Sequence, residues 1–407
     1  MSELTNDPYV DLYADRMTGM TASEVRALFA VASRPDVVSL AGGMPFVAAL
    51  PGGDVMDVVD SVLRDHGSAA LQYCGGIGLP GVRERLVALM AEEGVGATAD
   101  RVVVTNGAQQ ALDLIGKIFV DPGDEIAVEE PSYVGAISAF SAYEPRFLQF
   151  PLDEDGLVVS ALEDALAAGA RPKFVYTIPN FSNPAGVTMS LARRERLVEV
   201  CRRFGVPIVE DNPYGMLRFE GQPVPSLRSL DPGNVIYLGT LSKVFAPGIR
   251  VGWALAEHGT LDRLVLAKEA ADLCSSAFTQ LVAERYLDGD RWRTNLRTLV
   301  DVYRSRRDAM LDALRSEFPA DAHWTVPHGG FYVWATTPGV DTPTLLPEAV
   351  ERKVAYVPGT AFYPDGRGRD RMRLSFCYPP EESIREGIRR LGHLLADHAN
   401  LRPAATA

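Results

Sequence analysis

The sequence has few cysteines and no long hydrophobic run, and these absences exclude several classes of protein. Its four cysteines, at positions 74, 201, 274 and 377, show no paired C-x-x-C spacing, which argues against a zinc site or a disulfide framework. Unpaired thiols are typical of a reducing compartment, so we expect a cytoplasmic protein. No apolar stretch approaches the roughly 20 residues that span a bilayer, and the first residues lack the pattern of a secretory signal.

Positive charge, and lysine in particular, is also scarce. The chain carries 40 basic and 53 acidic residues, for a net charge of −13, which disfavours nucleic acid and anionic membranes as partners. The six histidines form no metal-binding pattern, so we expect no metal. Any chemistry that requires a lysine amine has five candidates: Lys117, Lys173, Lys243, Lys268 and Lys353.

The order of predicted elements indicates an α/β protein. From about residue 100, short apolar runs alternate with helix-length segments, which is typical of a largely parallel sheet covered on both faces. Beyond about residue 290 a long helix, three short strands and a final helix predict a smaller α+β domain. We therefore expect an N-terminal arm and helix over 1–45 that packs with the small domain, a large domain over 46–290 and a small domain over 291–407. The six predicted strands of the large domain cover 101–105, 125–128, 173–178, 206–210, 235–238 and 251–255.

A glycine-rich segment, residues 76–81, matches the dinucleotide pattern G-x-G-x-x-G. That fingerprint needs a strand directly before it and an acidic residue at the end of the next strand. Here the extended stretch before the glycines, residues 71–73, is short. The candidate acidic residue, Asp100, comes before the next predicted strand rather than at its end. We interpret the segment as a turn and a helix start, with nucleotide binding as the less favoured alternative.

Four polar segments follow predicted strands, where open α/β sheets bind their ligands. Residues 105–110 connect a strand to a helix whose first backbone N–H groups suit a phosphate, although an ordinary tight turn between strand and helix would have similar residues. Tyr133 offers a ring that either stacks on a planar ligand or packs in the core. Asn183 offers both a donor and an acceptor, and Asp211 is a carboxylate that needs a cationic partner if it is buried.

The fifth segment, residues 239–250, is the most informative. It contains the hydroxyls of Thr240 and Ser242, the amine of Lys243 and the guanidinium of Arg250. Hydroxyls and an arginine suit a phosphate, and a lysine among cations has the lowered pKa that Schiff-base formation requires. Together the five segments supply what pyridoxal 5′-phosphate (PLP) needs: a phosphate cradle, a stacking ring, a carboxylate and an amine.

With these segments the chain resembles the fold-type-I PLP-dependent aminotransferases of class I/II, from about Arg26 to Leu395. It is most similar to their 2-aminoadipate/kynurenine branch, through residues 39–45, 71–73, 107–112 and 373–376. The resemblance implies the PLP-dependent transferase fold type I, with a mostly parallel seven-stranded sheet in the large domain. It implies a homodimer with shared active sites. It also implies transfer of an amino group from an L-α-amino acid to a 2-oxo acid, 2-oxoglutarate, by a ping-pong mechanism.

The resemblance also implies a role for each site residue. Lys243 would form the Schiff base and move the proton, Asp211 would keep the pyridine nitrogen protonated, and Arg373 would bind the substrate α-carboxylate. Gly43 would line the substrate pocket through its backbone, and Arg26 would meet the substrate side chain. The residues expected to hold the cofactor, besides Lys243 and Asp211, are Ala108, Gln109, Tyr133, Asn183 (which also faces the substrate), Tyr214, Thr240, Ser242, Arg250 and, from the neighbouring subunit, Tyr73.

Two departures from the family pattern leave alternatives open. Residues 106–109 lack a serine that relatives often use for the phosphate, and residues 74–76 differ from the more usual sequence near the substrate mouth. The same cofactor site can also run decarboxylation, elimination or oxidation. A third possibility is a sensor behind a winged-helix domain, but the roughly 25 residues before the first predicted helix are too few for one, and the net charge is negative.

Overall fold

The computed structural model of the chain describes residues 7–17, 20 and 34–400. The predicted helix over 21–33, with Arg26 in it, lies outside the described residues. No helix in the described ranges is both long and apolar enough to cross a membrane.

Twelve α-helices occur in this part of the chain. In chain order they are α1 Gly52–His66, α2 Pro80–Ala91, α3 Ala108–Phe119, α4 Val134–Ser141, α5 Val159–Ala167, α6 Leu191–Phe204, α7 Leu227–Leu230, α8 His258–Asp272, α9 Ala277–Leu287, α10 Arg291–Glu317, α11 Thr342–Glu351 and α12 Glu381–Asn400.

Fourteen strands accompany these helices across the same ranges. They are β1 Val38–Ser39, β2 Val102–Thr105, β3 Glu125–Glu130, β4 Arg146–Asp153, β5 Gly156–Leu157, β6 Val175–Thr177, β7 Ile208–Asp211, β8 Val235–Thr240, β9 Gly252–Leu255, β10 His323–Trp324, β11 Tyr332–Thr336, β12 Val354–Ala355, β13 Val357–Pro358 and β14 Arg371–Ser375.

The large sheet has the strand order β2-β9-β8-β7-β6-β3-β4-β5. Strands β4, β3, β6, β7 and β8 pair in parallel, and β9 runs antiparallel to both of its neighbours. The inner strands are buried along their length, as short apolar runs in a parallel sheet require. The prediction of a mostly parallel sheet is confirmed. The sheet has eight strands rather than seven because the two-residue β5 pairs antiparallel with β4.

Strand β4 was missed in the sequence analysis. Most of its residues are half-buried or exposed, and it contains Pro151. Proline argues against a central strand, and a strand near the sheet edge lacks the continuous apolar run that marks the others. The hydrophobic pattern therefore gave no signal for it.

The glycine-rich segment over 76–81 is a turn followed by a helix start. No strand occupies residues 72–79. Helix α2 begins at Pro80, and proline is favourable there because an N–H at the first position of a helix has no partner within the helix. The structure does not give this segment the strand–turn–helix context that a dinucleotide site needs.

A second, four-stranded antiparallel sheet has the order β10-β11-β14-β13, and buried residues of β11 and β14 share one hydrophobic core with those of α10 and α12. The short strand β1 pairs in parallel with β12, matching Val38 with Val354. Residues 38–44 therefore lie beside the C-terminal third of the chain, close to the end of β14. The predicted domain limits, 1–45, 46–290 and 291–407, stay predictions.

Candidate active site

Lys243 lies in the loop that follows β8, and its amine is inside the protein. Its Nζ donates to the carbonyl oxygen of Gly43 at 3.1 Å and lies 5.6 Å from the centre of the Phe331 ring. Burial, assisted by the nearby cations of Arg373 and Arg250, lowers the pKa of Lys243 to about 8. An amine with this pKa is partly neutral near pH 8, as a nucleophilic amine must be.

Asp211 is the last residue of β7, and its carboxyl group is buried. Its Oδ2 accepts from the hydroxyl of Tyr176 at 2.9 Å, while its Oδ1 has no hydrogen-bond partner among the described residues. Burial raises the pKa of Asp211 to about 7, against the lowering effects of Tyr176 and the Lys243 charge. A buried carboxyl oxygen without a partner is costly, so a cationic donor at this oxygen would be favourable.

The start of α3 forms a backbone cradle. Gly107, at φ 74°, precedes the helix and has no side chain to cap its first N–H groups. Arg250, itself at φ 53°, donates through Nη2 to the carbonyl oxygen of Asn106 at 3.0 Å. A Cβ at position 107 would lie 2.3 Å from that guanidinium nitrogen, so only glycine lets Arg250 approach. Free N–H groups at a helix start next to an arginine suit a phosphate.

Two hydroxyls lie at the end of β8, next to Lys243. The Oγ1 of Thr240 and the Oγ of Ser242 are 2.9 Å apart, and the backbone N–H of Ser242 donates to Thr240 Oγ1 at 3.1 Å. Ala108 begins α3, whereas the side chain of Gln109 donates to the carbonyl oxygen of Gly135 at 2.8 Å. The structure therefore gives the amide of Gln109, an exposed residue, a backbone partner.

Tyr133 precedes α4 and faces the same space as the other predicted residues. Burial raises its pKa to about 12, and the charges of Asp211, Arg373 and Arg250 all act on its hydroxyl. Gly135 leaves room for the ring, because a Cβ there would lie 2.4 Å from Tyr133 Cζ. The ring is thus held beside the carboxylate and the phosphate cradle.

Arg373, on β14, is buried opposite Lys243. Its Nη1 donates to Asn183 Oδ1 at 2.8 Å and its Nη2 to the carbonyl oxygen of Ala41 at 2.7 Å. Its guanidinium lies over the rings of Tyr332 and Phe362, at 4.2 and 4.9 Å from their centres. In the described ranges Arg373 makes no ion pair and its Nε has no acceptor, so the guanidinium is available to a carboxylate ligand.

Four residues that the sequence analysis did not single out complete this site. Tyr176 holds Asp211, and Tyr332 packs beneath Arg373. The buried carboxyl of Glu129 accepts from Thr177 Oγ1 and from the backbone of Ile178 at 3.3 Å. The Cys377 thiol donates to the carbonyl oxygen of Met44 at 3.1 Å. Tyr176, Tyr332 and Glu129 lie within strands rather than in the loops that follow them, and Cys377 is as buried as a core residue, so the sequence carries no signal that separates them from the core.

Two predicted residues are not brought into the site of this chain. The side chain of Tyr73 is 77% exposed, away from Lys243 and Asp211, and Arg26 lies outside the described residues. The other predicted residues surround one space between the carboxyl ends of β6, β7 and β8 and the segment over residues 41–44.

Gly43 and Tyr332 form a matched pair at this space. The hydroxyls of Tyr332 and Tyr214 are 3.5 Å apart, and a Cβ at position 43 would lie 2.1 Å from the Tyr332 oxygen and 3.2 Å from Cζ. Any side chain at position 43 must therefore displace Tyr332, and with it the surface under Arg373.

We predict that Gly43→Ala lowers kcat/KM about a hundredfold, since displacements of about 1 Å in a site have effects of this size. In a Tyr332→Phe background, where the clashing oxygen is absent, we expect the same change to cost about tenfold or less. Steady-state kinetics on the wild type, both single variants and the double variant measure this coupling. Purely additive losses would contradict the pairing.

The residues at this site fit PLP. Asp211 Oδ1 lacks a partner among the described residues and is suited to a protonated ring nitrogen, the α3 start with Arg250 is suited to a phosphate, and Tyr133 supplies a ring. Bound PLP supplies an aldehyde for an amine and a protonated ring that withdraws electrons from the carbon bearing that amine. The partly neutral amine of Lys243 would be the nucleophile and then the base, and Arg373 would orient the substrate carboxylate. The fold and the site are those of a PLP-dependent aminotransferase.

Comparison with known proteins agrees with this assignment. Residues 37–391 match the family model for aminotransferase class I and II. The chain is 44% identical, over 96% of its length and 95% of the relative's, to the aromatic-amino-acid aminotransferase 1 of Thermococcus litoralis. It therefore belongs to the class I and II aminotransferase family and is a PLP-dependent enzyme that transfers amino groups.

Two solved structures show the same fold across the chain. The kynurenine aminotransferase of Pyrococcus horikoshii, in complex with PMP, matches with a TM-score of 0.92 at 40% identity, over 97% of this chain and 98% of that one. The α-aminoadipate aminotransferase of Thermus thermophilus, complexed with N-(5′-phosphopyridoxyl)-L-leucine, matches with a TM-score of 0.90 at 37% identity, over 97% of this chain and 100% of that one. These matches confirm the predicted fold class and cofactor.

Proposed function

We propose that this enzyme takes the amino group from an aromatic or 2-aminoadipate-like L-α-amino acid and passes it to 2-oxoglutarate. One observation carries the proposal: Arg373 and Lys243 donate to the carbonyl oxygens of Ala41 and Gly43, two residues apart on one segment. The carboxylate-binding group and the amine therefore face the same small space. An L-α-amino acid, which has its carboxylate and its amino group on one carbon, presents both groups to such a space.

The roles of the individual residues are part of the proposal. Arg373, oriented by Asn183, binds the substrate α-carboxylate. Lys243 moves the proton between the α-carbon of the substrate and the cofactor carbon that receives the amino group. Asp211 holds the proton of the ring nitrogen, and Tyr176 fixes that carboxyl group through its hydrogen bond. Asn183 and Tyr214 bind the ring oxygen. The phosphate is held by the backbone at Ala108, the start of α3 at Gln109, and the side chains of Thr240, Ser242 and Arg250.

We also propose a homodimer in the cytoplasm, with the domain limits predicted from the sequence. The 77% exposure of Tyr73 supports the dimer, because a large aromatic side chain at the surface of one subunit is free to reach the cofactor phosphate of the other. The pairing of β1 with β12 supports grouping the first 45 residues with the small domain. The mass of the particle in solution, measured by light scattering, tests the dimer.

The test of function is an absorption spectrum of the purified enzyme before and after adding single L-amino acids without an acceptor. We expect aromatic amino acids and 2-aminoadipate to convert the cofactor to its amino form, and 2-oxoglutarate to restore the starting spectrum. Release of carbon dioxide or ammonia without an acceptor would contradict the proposal. Conversion by other amino acids alone would overturn the proposed donor class.

Arg26 gives a separate prediction on the donor. If its side chain meets the distal carboxylate or polar end of the substrate, Arg26→Ala lowers kcat/KM about tenfold or more for 2-aminoadipate, in line with the loss of a hydrogen-bonded ion pair. Short apolar substrates should be affected little. Kinetics on 2-aminoadipate and alanine compare the two classes, and an equal loss for both would contradict a side-chain role.

A further inference from the structure

A buried ion pair lies next to the start of α3. Lys268, on α8, is fully buried, and its Nζ donates to Asp272 Oδ1, one helical turn further along, at 2.8 Å. Moving a lysine charge out of water is costly, and buried ion pairs seldom stabilise a protein more than apolar residues of similar size would. Neither residue is among those assigned above to the cofactor or the substrate. The cost of this pair therefore points to a role other than stability.

Asp272 links the ion pair to the phosphate cradle. Its second oxygen, Oδ2, accepts from Asn106 Nδ2 at 2.6 Å and from Gln110 Nε2 at 2.8 Å. Asn106 directly precedes Gly107, and Gln110 lies in the first turn of α3. One carboxylate therefore binds a residue on each side of the backbone N–H groups that suit a phosphate.

Asn106 is held at three of its polar groups. Besides the bond from its side chain to Asp272, its backbone N–H donates to Gln110 Oε1 at 2.8 Å, and its carbonyl oxygen accepts from Arg250 Nη2 at 3.0 Å. The Gln110 amide thus joins the backbone of Asn106 to the carboxylate. A displacement of Asp272 would therefore act on both parts of the cradle, the backbone at the α3 start and the guanidinium of Arg250.

The negative charge of Asp272 would by itself oppose a phosphate at this place. A phosphate monoester carries about 1.5 to 2 negative charges at pH 7, and repulsion between charges in a protein interior is screened far less than at the surface. Lys268 places a positive charge on the same carboxylate and cancels its charge. The pair thus supplies a hydrogen-bond acceptor for Asn106 and Gln110 without adding a net charge beside the phosphate.

We propose that Lys268 and Asp272 are positioning residues for the cofactor phosphate: Asp272 fixes the cradle through Asn106 and Gln110, and Lys268 neutralises Asp272. This role rests on the proposed assignment of the phosphate to the start of α3 and Arg250. It concerns the phosphate alone, so the expected effect depends on whether the cofactor carries that group.

The experiment dialyses the full-length holoenzyme to equilibrium against a series of PLP concentrations and, in parallel, against pyridoxal, which lacks the phosphate. The ratio of the two dissociation constants, pyridoxal over PLP, is the phosphate preference of the enzyme. We expect Lys268→Met to lower this preference about tenfold or more, because it leaves one member of a buried charge pair without its partner. Lys117→Met, which removes an exposed lysine of α3, should keep the wild-type preference.

Two double variants separate charge from hydrogen bonding, and they also test the proposal if Lys268→Met alone does not fold. Lys268→Met/Asp272→Asn removes both charges and keeps an oxygen for Asn106 and Gln110, so we expect it to recover most of the phosphate preference. Lys268→Met/Asp272→Leu removes the same charges and also the oxygen. Its preference should stay about tenfold below that of the wild type, in line with two lost hydrogen bonds.

An equal loss of PLP and pyridoxal binding in Lys268→Met would mean damage to the whole site and would overturn the positioning role. Two double variants with the same phosphate preference would overturn it as well. Arg250→Gln tests the proposed phosphate site separately. If Arg250→Gln lowers the preference and Lys268→Met does not, the positioning role is wrong and the proposed site stands. If Lys268→Met lowers it and Arg250→Gln does not, the ion pair is supported and the role of Arg250 is wrong.

Discussion

Lys243→Ala should lower the turnover number by about 10⁴-fold or more, because the change removes both the nucleophile and the base that moves the proton. The structure allows no substitute within the described residues, since the amine that reaches the carbonyl oxygen of Gly43 belongs to Lys243. Initial rates with an L-amino acid and 2-oxoglutarate measure the loss. Borohydride reduction followed by mass spectrometry should add the cofactor mass to the wild-type chain and not to the variant.

The matched control is Lys117→Ala, on the exposed side of α3. We expect it to keep wild-type rates, because its side chain is in solvent and outside the site. The Lys243→Ala protein should still bind PLP noncovalently, since Thr240, Ser242 and Arg250 are unchanged. An active Lys243→Ala enzyme would contradict the central assignment.

The burial and the ion pair of Lys268 could not be predicted from the sequence. From the sequence it falls within a helical pattern, like Lys117. In the structure it is fully buried and its Nζ donates to Asp272 Oδ1 at 2.8 Å. The other oxygen of Asp272 accepts from the side chains of Asn106 and Gln110, in the phosphate cradle. Helical spacing does not reveal a contact between α8 and the start of α3, so the supporting role of Lys268 was not predictable.

The residues that could be predicted from the sequence share one property: they occur at strand ends next to other polar groups. Lys243, Asp211 and the start of α3 at Ala108 all stand where a short apolar run stops, and this position in an open sheet points to a ligand. Tyr176 and Tyr332 lie inside buried strands. Their hydroxyls gain a function only through the partners that folding brings to them, Asp211 and Gly43, and no local pattern records those contacts.

Asp211→Asn should be the second most damaging change for activity and should also alter stability in a pH-dependent way. Asparagine keeps an oxygen for the Tyr176 hydroxyl but cannot hold a proton on the ring nitrogen. We expect turnover to fall by about 10²–10³-fold, the range for losing one preorganised electrostatic group. Steady-state rates measure this effect, and Tyr176→Phe, which removes only the supporting hydrogen bond, should give a smaller loss.

Although Asp211→Asn lowers activity, it should raise the folding stability of the cofactor-free protein at neutral pH. In the folded protein without cofactor, burial raises the pKa of Asp211 to about 7, from its ordinary value of 3.8. Between these two pH values the unfolded chain has lost the proton that the folded chain retains, so the wild type loses stability as the pH rises toward 7. Asparagine does not titrate, so after removal of the cofactor the variant should gain about 3 kcal/mol relative to the wild type between about pH 5 and pH 8, at ~1.4 kcal/mol per pKa unit.

Urea unfolding of both cofactor-free proteins at the two pH values measures this difference. Comparing the two proteins removes the contribution of Glu210, whose pKa is also raised by burial. Glu129 belongs to the measured difference, because its pKa, raised by burial, is raised further by the Asp211 charge in the wild type. With PLP bound, the ring-nitrogen cation should offset the burial cost and make the wild type the more stable protein at the higher pH. A stability difference that does not change with pH would mean that Asp211 is already ionised in the empty site, and its unpaired oxygen would then need another partner.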